Sequence, residues 1–245
     1  DAWYAQVNGV DALPDYALGR IPVSGEAQLG TVVDKIFAFE NTPSGHAARQ
    51  AGLLAADRID TNNAYNFKAA SQTLYARCSL FTDTVYLDDT IASLCRSSIQ
   101  ADVNAGVMAV NYFGHGASDL WSDKNIFDTN LVKSLSNSFY PVFTMVTCNN
   151  GLFYNAESCL AESLLNTAGK GASACLASPG LLSLTAGEVI AAGFYTNFYD
   201  HRVLNMGDAV AGAYLKLAED MGFQSAELNY FQLFGDPGME VNPAP

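Results

Sequence analysis

The chain has 245 residues, of which 49% are hydrophobic and 15% charged, and its formal net charge is −13 at pH 7. That composition describes a globular chain with material for one large or two small cores, and it excludes a disordered one. The acidity leaves no basic stripe for nucleic acid, and no apolar run reaches the ~20 residues of a membrane span, so neither nucleic-acid binding nor membrane insertion is expected.

Taken in order, residues 14–23 read as a short strand bounded by prolines, with Gly19 marking a bulge or a close approach. From Gly25 to Glu40, Leu29, Val32, Val33, Ile36 and Phe37 recur at helical spacing. A buried strand, Leu53–Ala56, runs into the polar loop Asp57–Asn63, and a helix follows to about Cys78. Thr84–Leu87 reads as a strand and Thr90–Ala105 as a helix. A strand from Val107 to Phe113, a helix over Thr129–Ser136 and a strand from Tyr140 to Thr147 come next. Ser158–Thr167 reads as a helix capped by Ser158, and Gly171–Ala177 as a strand. Helices near Glu188–Tyr199 and Asp208–Met221 close the pattern. Strands alternating with helices predict an α/β fold, a three-layer αβα sandwich around a mostly parallel sheet. A boundary near residues 79–83 would divide it into two closely packed subdomains, 1–82 and 83–245.

Two of these strands end in chemically loaded turns. Phe113 is followed by Gly114-His115-Gly116, and Thr147 by Cys148-Asn149-Asn150-Gly151. Working residues of open α/β sheets sit just beyond the carboxyl ends of such strands. Cys148 and His115 therefore pair as candidate nucleophile and base, since a thiolate attacks and an imidazole exchanges protons near neutral pH. A lone Cys after an apolar strand is ordinarily a core residue; a His between two glycines is poorly placed for core filling, and the pairing singles both out. His46, in a polar loop, and His201, beside Asp200 and Arg202, read as solvated.

The other cysteines are Cys78, Cys95, Cys159 and Cys175, which allow three pairings. Cys159 and Cys175 lie in apolar segments and read as core. An oxidising compartment would allow a Cys78–Cys95 bridge, though the sequence does not choose among the pairings. The lack of any C-x-x-C pair argues against structural zinc.

The run Asn-Tyr-Phe-Gly-His-Gly before Trp121, then Thr-Cys-Asn-Asn-Gly-Leu-Phe and Ser-Cys-Leu-Ala-Glu-Ser-Leu-Leu, resembles the gingipain family of cysteine peptidases. So do Pro14-Asp15, Gly19-Arg20-Ile21, Gly169-Lys170-Gly171-Ala172 and Phe234-Gly235-Asp236-Pro237. The resemblance covers nearly the whole chain in order. It implies a caspase-like fold, an endopeptidase acting on protein or peptide substrates, and a secreted or cell-surface location. Cys148 would form a thioester, His115 would protonate the leaving amine, and the amides of Gly116 and Cys148 would form the oxyanion hole. An acidic residue matching Asp57, with Asp60 as the substitute, would orient His115.

The chain departs from arginine-specific gingipains in its specificity positions. Asn63 or Asn62 stands where those carry an acid, and Ser178 to Leu184, with Leu182 among them, lacks their Trp. Ser178, Leu182 and Asn63 are thus the expected substrate-binding residues, and the residue preferred at the cut stays open. No cofactor is required. Structural calcium is implied by the family, with Asp57–Asp60, Asp83–Asp89 and Asp119–Asp123 as acidic clusters, although none has the spacing of a dedicated calcium loop. Asp1 in place of Met, and the linker-like Asn242-Pro243-Ala244-Pro245, read as a mature fragment with neighbouring domains in a longer chain. A catalytically silent binding or scaffold domain is the alternative. Another acyl-transfer enzyme is disfavoured by the lack of a Gly-x-Ser-x-Gly elbow.

Overall fold

The computed structural model describes residues 1–241. Nine strands and seven main helices alternate along them. The strands are β1 (Gly19–Arg20), β2 (Gly52–Ala56), β3 (Phe81–Tyr86), β4 (Ala109–Phe113), β5 (Leu120–Trp121), β6 (Phe127–Asp128), β7 (Val142–Val146), β8 (Ala174–Ala177) and β9 (Gln232–Phe234). The helices are α1 (Glu26–Glu40), α2 (Phe67–Arg77), α3 (Ala92–Ala105), α4 (Thr129–Ser134), α5 (Leu160–Asn166), α6 (Leu184–Tyr195) and α7 (Met206–Met221).

Seven strands form one sheet in the order β1-β9-β8-β7-β4-β2-β3. From β8 to β3 all neighbours are parallel; β9 runs antiparallel to β8, and β1 parallel to β9. Every residue of β2, β4, β7 and β8 is buried, as expected of parallel strands covered on both faces. The covering layers follow from right-handed crossovers. Moving from β2 to β3 through α2, and back from β3 to β4 through α3, puts α2 and α3 on opposite faces. α6 packs on β7 and α2 and carries α7 on the α2 side, while α5 packs on β8, α1 and α4 on the other.

The boundary expected near residues 79–83 falls at the start of β3. Strands from both sides of it share the sheet, with β2 lying between β4 and β3.

Several local expectations shift. The 14–23 strand contracts to Gly19–Arg20, where a Cβ on Gly19 would lie 2.2 Å from the Gly235 carbonyl oxygen. α1 is rotated from its expected face: Val32, Lys35, Ile36 and Phe39 are buried, whereas Leu29 and Phe37 are exposed. Cys159, not Ser158, caps α5, and Glu162 accepts a hydrogen bond from its backbone N–H at 2.8 Å. α6 begins at Leu184 behind a Ser183 cap and ends in a π-helical turn, Thr196–Asp200. The β5–β6 hairpin and β9 are additional to the expected elements.

The Cys78–Cys95 bridge is absent; all five thiols are free. Cys78 closes α2 and Cys95 lies on α3, on opposite faces of the sheet. Burial pushes the Cys78 thiol up to about 11 and that of Cys159 to about 12, as for inert core thiols. The Asn242–Pro245 segment lies outside the described residues. Among them, no helix is long and apolar enough to cross a membrane.

Candidate active site

β4 and β7 are adjacent and parallel, with Phe113 opposite Val146. The Gly114 N–H still donates to the Val146 carbonyl at 3.3 Å. His115 and Cys148 each lie two residues beyond that matched pair, so both emerge at the same carboxyl edge. Cys148 is half-buried and the His115 side chain is 53% exposed, leaving both open to a substrate.

The backbone of His115 is held from three sides. Its N–H donates to Asp57 Oδ2 at 3.2 Å. Its carbonyl accepts from the Ser122 N–H and the Tyr112 hydroxyl, both at 2.8 Å. Asp57 is buried, and it also accepts from the Ser122 hydroxyl at 2.8 Å and from the Arg58 N–H. Asp57 thus meets the His115 main chain.

The ring is met by Asp60, whose Oδ2 lies 2.9 Å from Nε2. Asp60 is fixed in turn: Oδ1 accepts the Asn62 and Asn63 N–H groups, and Oδ2 accepts the Asn63 side-chain amide at 2.6 Å. The Asn63 amide, followed by the backbone N–H donors and His115, holds the Asp60 carboxyl down to about 2. An ionised carboxylate only accepts hydrogen bonds, so Nε2 carries the proton and Nδ1 is the nitrogen left for chemistry. Phe67, the first residue of α2, contacts the ring edge-on at 5.1 Å, and Tyr65 stacks edge-on against Phe67. The Tyr65 hydroxyl bonds Glu188 of α6.

Both glycines beside His115 are forced by close approach. A Cβ on Gly114 would lie 2.0 Å from the Tyr112 hydroxyl. One on Gly116 would lie 2.4 Å from Thr147 Oγ1 and 3.0 Å from the Leu120 carbonyl. Thr147 Oγ1 is buried and has no hydrogen-bond partner among the described residues.

The turn carrying Cys148 is braced by the loop after β8. Asn149 adopts a left-handed φ of 64° and donates its N–H to the Gly180 carbonyl at 2.9 Å. The Gly151 N–H donates to the Ser178 carbonyl at 2.8 Å. Ser178 is buried with its hydroxyl turned to Gly180, so its side chain shapes the loop. Leu182 is half-buried on the core, and its neighbour Leu181 is 78% exposed. Asn63 is exposed, with its amide bound to Asp60.

One residue that the sequence did not single out ties the two turns together. Asn150 is fully buried; its Nδ2 donates to the Ala117 and Leu120 carbonyls at 2.5 and 3.2 Å, and its Oδ1 accepts from the Trp121 indole at 2.8 Å. Trp121 stacks on Tyr112 with ring centroids 4.4 Å apart. Only the short spacing from Cys148 to Asn150 is local; the partners lie about thirty residues away in sequence.

The remaining histidines stand elsewhere. His46 accepts the Ala48 N–H and stacks on Phe139; His201 lies in the turn after α6. A cavity of about 320 Å³ between α2, α6 and α7 is lined by Leu74, Cys78, Tyr195 and His201 and includes none of His115, Gly116 and Cys148. Within the acidic clusters several carboxylates already have partners. Asp60 is engaged as described, Asp123 pairs with Arg58 and Lys124, and Asp89 pairs with Lys68. Among the described residues no three His, Cys, Asp or Glu side chains converge.

A caspase-like αβα sheet with a Cys and a His at neighbouring strand ends defines the class of cysteine-type peptidases. The chain belongs to peptidase family C25, whose sequence model matches residues 1–242. It is 28% identical to gingipain R2 of Porphyromonas gingivalis over 170 residues, covering 67% of this chain and 23% of that protein. The fold matches the crystal structure of the Arg-specific cysteine proteinase gingipain R with a TM-score of 0.84 at 22% identity, over 98% of this chain and 59% of that one. A complex of the pro- and mature domains of P. gingivalis RgpB gives a TM-score of 0.86 at 21% identity, over 98% and 60%. The chain therefore spans less than two thirds of the length of these relatives.

Proposed function

We propose that this chain is the catalytic part of a cysteine endopeptidase working through Cys148 and His115. The observation that carries the reading is the register of β4 and β7, which brings both residues to one sheet edge, with the His115 ring fixed by Asp60. The Cys148 thiolate attacks the scissile carbonyl carbon and forms a C–S bond. The amides of Gly116 and Cys148 receive the resulting oxyanion. The C–N bond breaks as His115 gives its Nδ1 proton to the departing amine, leaving a thioester. Water then attacks the thioester carbon and loses a proton to His115. The C–S bond breaks, and the acid leaves with the thiolate restored.

Asp60 positions the imidazole and sets its tautomer, while Asp57 holds its backbone. Asn63, the Ser178 loop and Leu182 flank the site as substrate-binding elements. Substrates are proteins or peptides, the location is secreted or cell-surface, and neighbouring domains complete the chain. Labelling by an irreversible electrophilic peptide tests the reading. A stoichiometric adduct on Cys148 that is lost in His115→Ala supports it. An intact fold that takes no label at Cys148 leaves the silent scaffold domain as the better account.

A further inference from the structure

The ladder between β4 and β7 ends at Gly114 and Val146. Beyond it Gly116 still packs against Thr147, but no ladder hydrogen bond sets how its amide stands to Cys148. Their separation nonetheless decides whether two amides converge on one oxyanion, because such donors act only within hydrogen-bond distance of it.

Asn150 supplies a directional, hydrogen-bonded constraint that van der Waals contact does not. Both hydrogens of its amide are used on the Cys148 side to grip the Gly116 side, one on the carbonyl of Ala117, directly after Gly116, and one on that of Leu120. Its oxygen takes the Trp121 indole N–H, and Trp121 bridges to Gly116 as an antiparallel pair. The same indole is clamped on Tyr112, whose hydroxyl binds the His115 carbonyl. The Asn150 main chain is itself pinned, its carbonyl accepting the Ala161 N–H at 3.1 Å. A fully buried amide with every hydrogen satisfied across two loops specifies one arrangement, because any other leaves polar groups unpaired.

We infer that Asn150 is a positioning residue for the oxyanion hole, setting the Gly116 amide against Cys148 through Ala117, Leu120 and Trp121. The inference rests on the peptidase reading above for its catalytic consequence, but not for its structural one.

The test uses Asn150→Asp, nearly the same size but without the two N–H donors, and Asn150→Ala. Two readouts are independent of turnover. In both variants the Gly116 amide resonance should shift, and in Asn150→Ala, which alone removes the acceptor, the Trp121 indole N–H should lose its protection from hydrogen exchange. Turnover of a peptide substrate should fall roughly 10²–10³-fold in kcat, the scale of a lost oxyanion donor, with KM changed less than about threefold. Alkylation of Cys148 by iodoacetamide forms no oxyanion, so its rate should stay within about threefold of the parent. An unmoved Gly116 signal in either folded variant, or an unmoved Trp121 signal in folded Asn150→Ala, would overturn the inference, as would alkylation falling in step with turnover. If the parent chain takes the iodoacetamide label but cleaves nothing, the peptidase reading fails, while the two resonance readouts still decide the role of Asn150.

Discussion

Asp60 and His115 meet side chain to side chain, Oδ2 to Nε2 at 2.9 Å, with Asp60 nearly buried and His115 half-exposed. The contact divides labour between two aspartates three residues apart, since Asp57 takes the backbone of the same histidine. Asp60→Asn keeps the size but replaces an oxygen that only accepts with an amide that can also donate, so the imidazole tautomer is no longer specified. Its kcat should fall, by no more than the ~10²–10⁴-fold that a positioned acid–base group supplies. An unchanged rate would remove Asp60 from the mechanism.

The same carboxylate gives a stability prediction. Its folded value of about 2 lies below the usual carboxylate value near ~4. The stabilisation from its ionised form is therefore complete above the unfolded value and is lost as pH falls from ~4 towards 2. Denaturant melts across that window should show a shallower acid-side loss in Asp60→Asn than in the parent.

Gly116→Ala tests the close approach behind the site. The added methyl would press on Thr147 Oγ1 and the Leu120 carbonyl, pushing the turn away from β7. Activity should drop about 100-fold or more, together with a stability loss of ~1–3 kcal/mol typical of overpacking. A fully active, equally stable variant would show that the turn has room to relax.

Lys35 offers a test away from the site. It is buried, its Nζ donates to the Leu164 and Leu165 carbonyls at the end of α5, and burial lowers its value to about 7. The unfolded chain binds this proton more tightly, so folding stability should rise as pH increases from ~7 towards ~10. Lys35→Met should lose that rise and leave two carbonyls unpaired, at a cost of ~1–3 kcal/mol. Urea melts of both proteins at several pH values would show it; parallel curves would contradict it.

The legible and illegible parts of this fold separate by range. β4 and β7 could be read because their apolar, β-branched and aromatic runs close on turn residues, and their ends pointed to His115 and Cys148. Lys35 could not, because a lysine interrupting an apolar stripe signals solvent unless its carbonyl partners, about 130 residues away, are known. β9 has three residues and the β5–β6 hairpin two per strand, too short for periodicity to register. Asn150 sits beside Cys148 in sequence, yet its partners come from the other turn. Asp57 and Asp60 stood in one polar loop, and only the fold of that loop, closed by the Asp60–Tyr65 bridge, assigns ring and backbone between them.

The most direct measurement is a cleavage profile on a mixed peptide library, run beside a Cys148→Ala control with calcium varied. The account predicts cuts that vanish in the control, and the residue before each cut would define the pocket formed by Asn63, the Ser178 loop and Leu182. Cleavage that persists in Cys148→Ala would contradict it, because the bond-breaking group would then lie elsewhere.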